Sequence, residues 1–217
     1  MSWTRRELFR SFFRPEGLGE GGAVVPTPVR VRARAPGDTD WRKLLDGAAV
    51  GPYARGKEGL LVRHFFRDRR GGVFVDAGCH LPEERSGTCF LERHLGWSGV
   101  AVDGQDFSQP WRESRRRSRF VQAMLGEASD GPGTTLDRVL EEAEVQAFEF
   151  LSISVSAGDL LVLKGLDLNR YRPELIKIHC GPGQRVPTIE HLRGFGYRLL
   201  LDYRPYDKIH RYFAPEP

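Results

Sequence analysis

Cysteine is scarce in this chain, with only three among 217 residues. Cys79, Cys89 and Cys180 are widely spaced, odd in number and free of any Cys-x-x-Cys pair. This pattern argues against a disulfide framework and against a structural zinc site. A reducing, cytoplasmic location is therefore expected.

The sequence also lacks a long apolar run. No stretch approaches the roughly 18 uninterrupted apolar residues that a membrane-spanning helix needs, so an integral membrane protein of that kind is excluded. Arg5 and Arg6 superficially resemble a twin-arginine export signal. The apolar segment that such a signal requires does not follow them, which favours the cytoplasmic interpretation.

A large excess of charge is likewise missing. Lys and Arg number 33 against 29 Asp and Glu, a formal net charge of +4, which is too small to predict a nucleic-acid partner. The arginine-rich segment at residues 112–119 has no interleaved aromatic residues for base stacking. We interpret it as a solvated helix face, with phosphate or anionic-polymer binding as the alternative.

Two regions are predicted from the patterning. Residues 1–40 combine a short basic amphipathic helix over residues 3–14 with an arm rich in Gly and Pro. The helix could pack on its own domain or a subunit, dock a protein partner, or lie on a membrane surface. A single globular domain is predicted over residues 41–217.

Short apolar runs alternate with helical stretches in that domain, which is typical of an α/β fold. Seven strands are predicted at residues 73–77, 99–102, 120–124, 148–154, 175–179, 197–201 and 209–213. Helices are predicted at residues 88–95, 111–117, 135–144, 158–165 and 188–194. The middle strands are almost continuously apolar, so we expect a doubly wound, mostly parallel sheet with helices on both faces. The last two strands are joined too closely for a parallel crossover, and we expect an antiparallel pair, or strands separated by one other.

Ligands of such sheets bind at the carboxyl ends of the strands, near the point where the strand order reverses. The segment GVFVDAGCH ends its strand in Asp76 and turns at Gly78, where the missing side chain permits a tight backbone turn. SGVAVDG ends in Asp103, which could accept hydrogen bonds from ribose hydroxyls. The alternative is that both carboxylates only cap the following helices.

A longer stretch, GVFVDAGCHLPEERSGTCFLERHLGWSGVAVDG, resembles the FkbM-type S-adenosylmethionine-dependent methyltransferases. Further segments appear in the family's order: RRRSRFVQAMLG, TTLDRVLEE, FEFLSISVSAGDLLVLKGLDLNRYRPELIKI and LRGFGYRLL. The resemblance covers about residues 53–213. It implies a Rossmann-like class I methyltransferase fold, S-adenosylmethionine as cofactor, and methyl transfer to a hydroxyl of a small molecule, often a sugar. The cofactor-binding residues that it implies are Asp76, Ala77, Gly78, Cys79, Asp103 and Gly104.

The chain also departs from the family pattern. Pro82 stands in the loop that normally wraps the amino-acid part of the cofactor, and a proline donates no backbone hydrogen bond. Ser154 and Ser156 stand where relatives carry carboxylates, and His179 stands in place of a Glu. Either the acceptor has changed or catalysis has been lost.

His80 and His179 lie at the ends of predicted strands and are the candidate catalytic bases, because an unperturbed histidine titrates near pH ~6.5. The alternative is that both are polar rim residues. Together with Cys79 and Cys180 they are metal-ligand types, but no recognised ligand spacing joins them, and no metal is predicted.

Two functions are carried forward. The first is S-adenosylmethionine-dependent methyl transfer to a small-molecule acceptor. The second is a non-catalytic scaffold with the same fold, whose N-terminal arm docks a partner. The loop of residues 78–85 distinguishes them, because side chains of Leu81, Pro82, Glu83 or Glu84 filling the space toward Asp103 would favour the scaffold.

Overall fold

The computed structural model describes residues 41–47, 53, 56–114, 116–127, 133–155, 158–181 and 183–217. The predicted helix over residues 3–14, the rest of the arm and Ser156 lie outside this part of the chain. The helices are α1 (Trp41–Asp46), α2 (Glu58–Phe66), α3 (Cys89–Leu95), α4 (Ser108–Glu113), α5 (Leu136–Glu142), α6 (Asp159–Lys164), α7 (Leu168–Tyr171) and α8 (Arg185–Gly194). The strands are β1 (Val73–Ala77), β2 (Ser98–Asp103), β3 (Arg119–Gln122), β4 (Leu125–Gly126), β5 (Thr134–Thr135), β6 (Phe150–Ile153), β7 (Leu175–His179), β8 (Tyr197–Leu199) and β9 (His210–Pro215).

Seven of these strands form one sheet in the order β3-β2-β1-β6-β7-β9-β8. The first five pair in parallel, whereas β9 runs antiparallel to both β7 and β8. The predicted doubly wound, mostly parallel sheet is therefore confirmed, as is the antiparallel pairing of the last two strands. The strand order reverses between β1 and β6, so the switch point lies beside the carboxyl end of β1.

Alternation along the strands divides the core between the two faces of the sheet. On one face Phe74, Phe150 and Leu175 pack with α2 and α3 around Leu61 and Leu91. The opposite face packs against α5 to α8; its buried residues include Val75, Leu151, Ile176, Leu140 and Leu192. Helices cover both faces, as the apolar strands predicted.

Some predicted element bounds were wrong. The helix expected at residues 111–117 occupies Ser108–Glu113 instead. An Asx turn precedes it, in which Asp106 accepts a hydrogen bond from the Ser108 N–H. The strand expected to reach residue 201 ends at Leu199, and Leu201–Tyr203 forms a 3-10 turn. Helix α2 was not predicted, although its sequence EGLLVRHFF is strongly apolar.

No helix within the described ranges has both the length and the apolar character needed to cross a membrane.

Candidate functional site

The carboxyl ends of β1, β2, β6 and β7 meet at one edge of the sheet. Gly78 follows β1 there with φ of +80°, in the left-handed region that favours glycine. A Cβ atom at this position would lie 2.2 Å from the carbonyl oxygen of Ser154, just beyond β6. Only glycine therefore lets the chain turn while the ends of β1 and β6 stay in contact.

Asp103 ends β2 and is held by backbone groups from both sides. Its Oδ2 accepts a hydrogen bond from the His80 N–H at 3.0 Å, and its Oδ1 accepts one from the Gln105 N–H at 2.9 Å. A carboxylate has about four acceptor sites, so capacity remains for the two hydroxyls of a ribose. Gly104 follows, and a Cβ there would lie 3.0 Å from the Met124 methyl carbon, so the small residue leaves room for Met124.

His80 contributes to this end mainly through its backbone. Its φ of +55° turns its N–H toward Asp103, while its carbonyl accepts a hydrogen bond from the Trp111 indole at 3.0 Å. The exposed imidazole lies against Phe107, with 4.7 Å between ring centroids. The interpretation of His80 as a rim residue is consistent with these contacts, and its predicted role as a base is not tested by them.

The Asp76 carboxylate is buried, and Thr88 donates a hydrogen bond to it at 2.8 Å. Ala77 has its side chain in the apolar core. The Cys79 thiol is also buried, and burial together with the charges of Asp76 and Asp103 raises its pKa well above the ordinary value. Contacts of the Asp76, Ala77 and Cys79 side chains with a cofactor remain a prediction. The contacts described here are all with other groups of the protein.

Arg116 organises the buried polar groups behind this end. Its side chain is 0% exposed and forms an ion pair with Glu92, Nε to Oε2, at 3.1 Å. Its guanidinium also donates to Thr88 at 3.2 Å and to Ser86 at 3.2 Å. We call Asp76, Ser86, Thr88, Glu92 and Arg116 the Arg116 cluster. The expected solvated face at residues 112–119 is wrong for Arg116, because it neutralises a buried carboxylate.

In the loop of residues 78–85, Pro82, Glu83 and Glu84 have contacts with protein groups other than Asp103. Pro82 is buried, and its carbonyl accepts a hydrogen bond from Arg116 at 2.7 Å. Glu83 pairs with Arg93 of α3, and the exposed Glu84 lies beside Arg85. The two loop carboxylates therefore have partners other than the Asp103 region.

On the other side of the switch point, His179 ends β7. Its Nδ1 lies 3.1 Å from Oδ2 of Asp159, the first residue of α6. Asp159 is only 1% exposed, and its Oδ1 accepts the Val155 N–H at 2.8 Å. A buried aspartate thus orients an imidazole whose side chain is 28% exposed. Three strand spacings, roughly 14 Å at ordinary sheet geometry, separate β2 from β7. His80, whose N–H binds Asp103 at the end of β2, is therefore not brought together with His179.

A second histidine–aspartate pair faces the first. His210 is the strand partner of His179, and the two rings lie 6.2 Å apart. The His210 Nδ1 lies 2.8 Å from Oδ2 of Asp207, which also accepts the Tyr212 hydroxyl at 2.8 Å. Sequence reasoning missed this pair, although the short spacing D-x-x-H between two apolar segments was available as a signal.

The charges of the second pair are set by burial and by its neighbours. Burial and the positive charge of Lys177 lower the pKa of His210, which outweighs the opposing effect of Asp207. Burial alone would raise the pKa of Asp207, but the hydrogen bonds from His210 and Tyr212 hold it well below its ordinary range. The pair is therefore a neutral imidazole beside a carboxylate near pH 7.

Lys177 is a buried cation between the two ends of the edge. It aligns with Ser152 and, through Ser152, with Asp76 on one face of the sheet. A Cβ at Gly87 would lie 3.1 Å from its Nζ, so the amine reaches the loop before α3. Among the described residues it forms no ion pair.

The metal-ligand types do not converge into a site. Within the residues whose positions are described, no group of three or more His, Cys, Asp or Glu side chains could hold a metal ion. Cys180 is buried, and the Nδ1 of the neighbouring His179 faces Asp159. The arrangement instead suits proton transfer by imidazoles that carboxylates orient.

Comparison with known proteins gives structural similarities at low sequence identity. No family model matches this chain, and no curated protein matches it by sequence. A protein assigned as a ribosomal RNA methyltransferase from Plasmodium falciparum superposes with a TM-score of 0.45 and 13% identity, covering 76% of this chain and 97% of that one. YjhP from E. coli superposes with a TM-score of 0.40 and 13% identity, covering 75% of this chain and 70% of that one. These similarities assign no activity or substrate to this chain, and the fold class is based on the strand order alone.

Proposed function

We propose that the protein is an S-adenosylmethionine-dependent methyltransferase that acts on a hydroxyl of a small-molecule or sugar-type acceptor. One observation carries the proposal: Asp103, with acceptor capacity to spare, and the oriented imidazole of His179 lie at the same sheet edge on opposite sides of the switch point. The FkbM resemblance in the sequence supports the same assignment.

Asp103, Gly78 and Gly104 are the residues that fit the cofactor. Asp103 would accept hydrogen bonds from the ribose hydroxyls. Gly78 lets the ends of β1 and β6 approach each other beside it, and Gly104 leaves room for Met124. When bound, the cofactor supplies a methyl group on a sulfonium, which needs an aligned nucleophile and little further help.

His179 is the better placed of the two predicted bases. With Nδ1 protonated and donating to Asp159, its Nε2 carries the lone pair that removes the acceptor's hydroxyl proton. Asp159 then stabilises the imidazolium that forms. His210 stands beside it as a second group able to accept a proton.

The non-catalytic scaffold remains the second candidate, and one observation favours it. The groups at the β1–β2 end already have protein partners, since Asp103 accepts two backbone hydrogen bonds and Asp76 accepts one from Thr88. A retired cofactor site would have the same contacts.

Calorimetric titration with S-adenosylmethionine and S-adenosylhomocysteine separates the two functions. Binding at micromolar strength, on the order of −8 kcal/mol, is expected for the enzyme. Asp103→Ala should weaken it by about 1–3 kcal/mol through lost hydrogen bonds to a charged acceptor, while the exposed Asp202→Ala serves as the matched control. No binding of either ligand to the unaltered protein would favour the scaffold.

The role of His179 is tested after an acceptor is found. His179→Ala should lower turnover and leave cofactor affinity unchanged, and His80→Ala gives the comparison for the β1–β2 end. Equal rates in the wild type and in His179→Ala would dismiss His179 as the base.

A further inference from the structure

A strongly basic cavity of about 620 Å³ opens at the β7–β9 end of the sheet edge. It lies where the N-terminus of α8, the segment after β8 and the start of β9 come together. Its lining residues are Arg185, Leu201, Arg204, Pro205, Lys208 and Arg211. We call it the basic cavity. Four of its six lining residues are cationic, and none is acidic.

The buried member of the set is Arg211, which is 4% exposed. Its Nη1 donates to the carbonyls of Lys208 at 3.2 Å and His210 at 2.6 Å, and these contacts fix the guanidinium plane. Within the described chain no protein acceptor engages its Nε and Nη2. Those two donors form the parallel fork that binds a carboxylate or phosphate.

The other three cations are exposed, and none of the four forms an ion pair with a described residue. Asp207 is the carboxylate that acts on the charge of Arg211. Its oxygens already bind His210, Tyr212 and two backbone N–H groups. Burial and the charges of Arg185 and Arg204 lower the pKa of Arg211. Like charges are thus held together with no neutralising group from the part of the chain that the structure describes, and a bound anion would relieve the repulsion.

The cavity also has an apolar wall. Leu201 is 60% exposed and, with Pro205, offers a surface beside the cations. Its volume is within the range of small-molecule sites, roughly 300–1,000 Å³. A ligand with an anionic group and a less polar body fits this combination better than a simple ion does.

We propose that the basic cavity binds a small molecule through a phosphate group, with Arg211 as the central ligand and Arg185, Arg204 and Lys208 around it. The site is adjacent to the second histidine–aspartate pair, because Arg211 donates to the carbonyl of His210. Identifying the bound molecule as the methyl acceptor rests on the proposed function, whereas the anion site itself does not.

The test is calorimetric titration of the full chain with inorganic phosphate and inorganic pyrophosphate at constant ionic strength. The double variant Arg185→Gln/Arg204→Gln removes two charges from the cavity at exposed positions. Arg193→Gln/Arg198→Gln removes two charges from exposed positions outside it and is the matched control. We expect pyrophosphate affinity to fall about tenfold or more in the first and less than about twofold in the second, since contacts to a charged group are lost only in the first.

Other outcomes would overturn the proposal. Absence of pyrophosphate binding to the unaltered chain rejects the site, and equal losses in the two double variants assign the binding to net charge alone. A single-stranded RNA of about 12 nucleotides is a further arm, with a length within the range of single-strand sites. RNA binding tighter than that of pyrophosphate and sensitive to the cavity variant would reassign the surface to nucleic acid.

Titration of the same variants with S-adenosylmethionine keeps the two proposals separate. Cofactor affinity should be the same in both double variants, because the cavity lies on the far side of the switch point from Asp103. Anion binding without cofactor binding would reject the methyltransferase and retain the anion site, and the reverse result would do the opposite.

Discussion

The two ends of the sheet edge handle charge in opposite ways. At the β1–β2 end the Arg116 cluster pairs a buried guanidinium with a buried carboxylate and joins both to hydroxyl groups. At the β7–β9 end the cations of the basic cavity lie together with no acidic partner among the described residues, beside two imidazoles oriented by aspartates.

Charged groups that are paired inside the protein stabilise its structure, whereas charged groups without a protein partner are available to a ligand. A buried pair fixes the position of the groups around it, and breaking it costs stability because one partner is left uncompensated. Crowded like charges contribute nothing to folding and reduce stability. We therefore expect changes at the first end to affect folding and changes at the second to affect binding and pH dependence.

The largest expected effect comes from breaking the ion pair in the Arg116 cluster. Glu92→Gln leaves the Arg116 charge buried, and we expect a loss of about 3–5 kcal/mol in the free energy of unfolding. Glu127→Gln is the matched control, since its pair with Lys164 is exposed and worth about 1 kcal/mol or less. Denaturant unfolding measures both, and comparable losses would mean that the cluster has no special role.

A somewhat smaller effect is expected where the two ends meet. Gly78→Ala places a Cβ against the Ser154 carbonyl at a positive φ, and we expect a loss of about 2–4 kcal/mol from backbone strain and overpacking. Gly71 has φ of +66°, and a Cβ added there would meet no atom within 4 Å, so Gly71→Ala should cost only about 1–2 kcal/mol. Thermal and denaturant unfolding measure both losses, of which the Gly71→Ala loss reports the backbone strain alone. Equal losses in the two variants would show that the clash with Ser154 does not contribute.

The β7–β9 end should make stability depend on pH. Burial and Lys177 lower the pKa of His210 in the folded protein, so the unfolded chain binds more protons than the folded chain as the pH falls below about 6.5. Stability should therefore fall with acidification through that range. His64 and His191, whose pKa values are also lowered mainly by burial, act in the same direction.

Replacing His210 isolates its share of that dependence. Histidine side chains titrate between about pH 5 and pH 7. Over that range the free energy of unfolding should change less in His210→Gln than in the wild type. The two histidines that remain keep part of the slope. Parallel pH profiles for the two proteins would show that His210 does not contribute.

The smallest effect concerns the thiols. Burial raises the pKa of both Cys79 and Cys180, but carboxylates raise the first further, whereas a hydrogen bond with Thr188 and the Arg211 charge partly offset the rise at the second. Because the thiolate is the reactive form, we expect iodoacetamide to modify Cys180 before Cys79 in the native protein. Mass spectrometry of a time course measures the order, and the reverse order would contradict this difference between the ends.

Sequence patterns predicted the sheet well because its strands are continuously apolar. Strands β1 and β7 have the predicted bounds, since each is a short apolar run bordered by polar or glycine residues. Helix α4 was misplaced because its start depends on Asp106 and a proline in the first turn, which are local signals. Strands β4 and β5 have two residues each, too few to produce a periodic pattern.

The site was predicted unevenly for a different reason. Asp103 and His179 are the last residues of apolar strands, so the rule for strand ends places them at the edge. The pairing of His179 with Asp159 and of Arg116 with Glu92 depends on contacts between residues 20 and 24 positions apart, which periodicity does not encode. Residues of the basic cavity come from three separate segments and have no common motif.

The position of β9 has a consequence for the order in which the sheet can be completed. β9 lies between β7 and β8, yet β8 is synthesised before it. β8 therefore has no hydrogen-bonding neighbour in the sheet until the last strand is inserted, and the His179–His210 contact forms at the same step. During synthesis the β1–β2 end of the edge can be assembled first, and the imidazole pair only after β9 has left the ribosome.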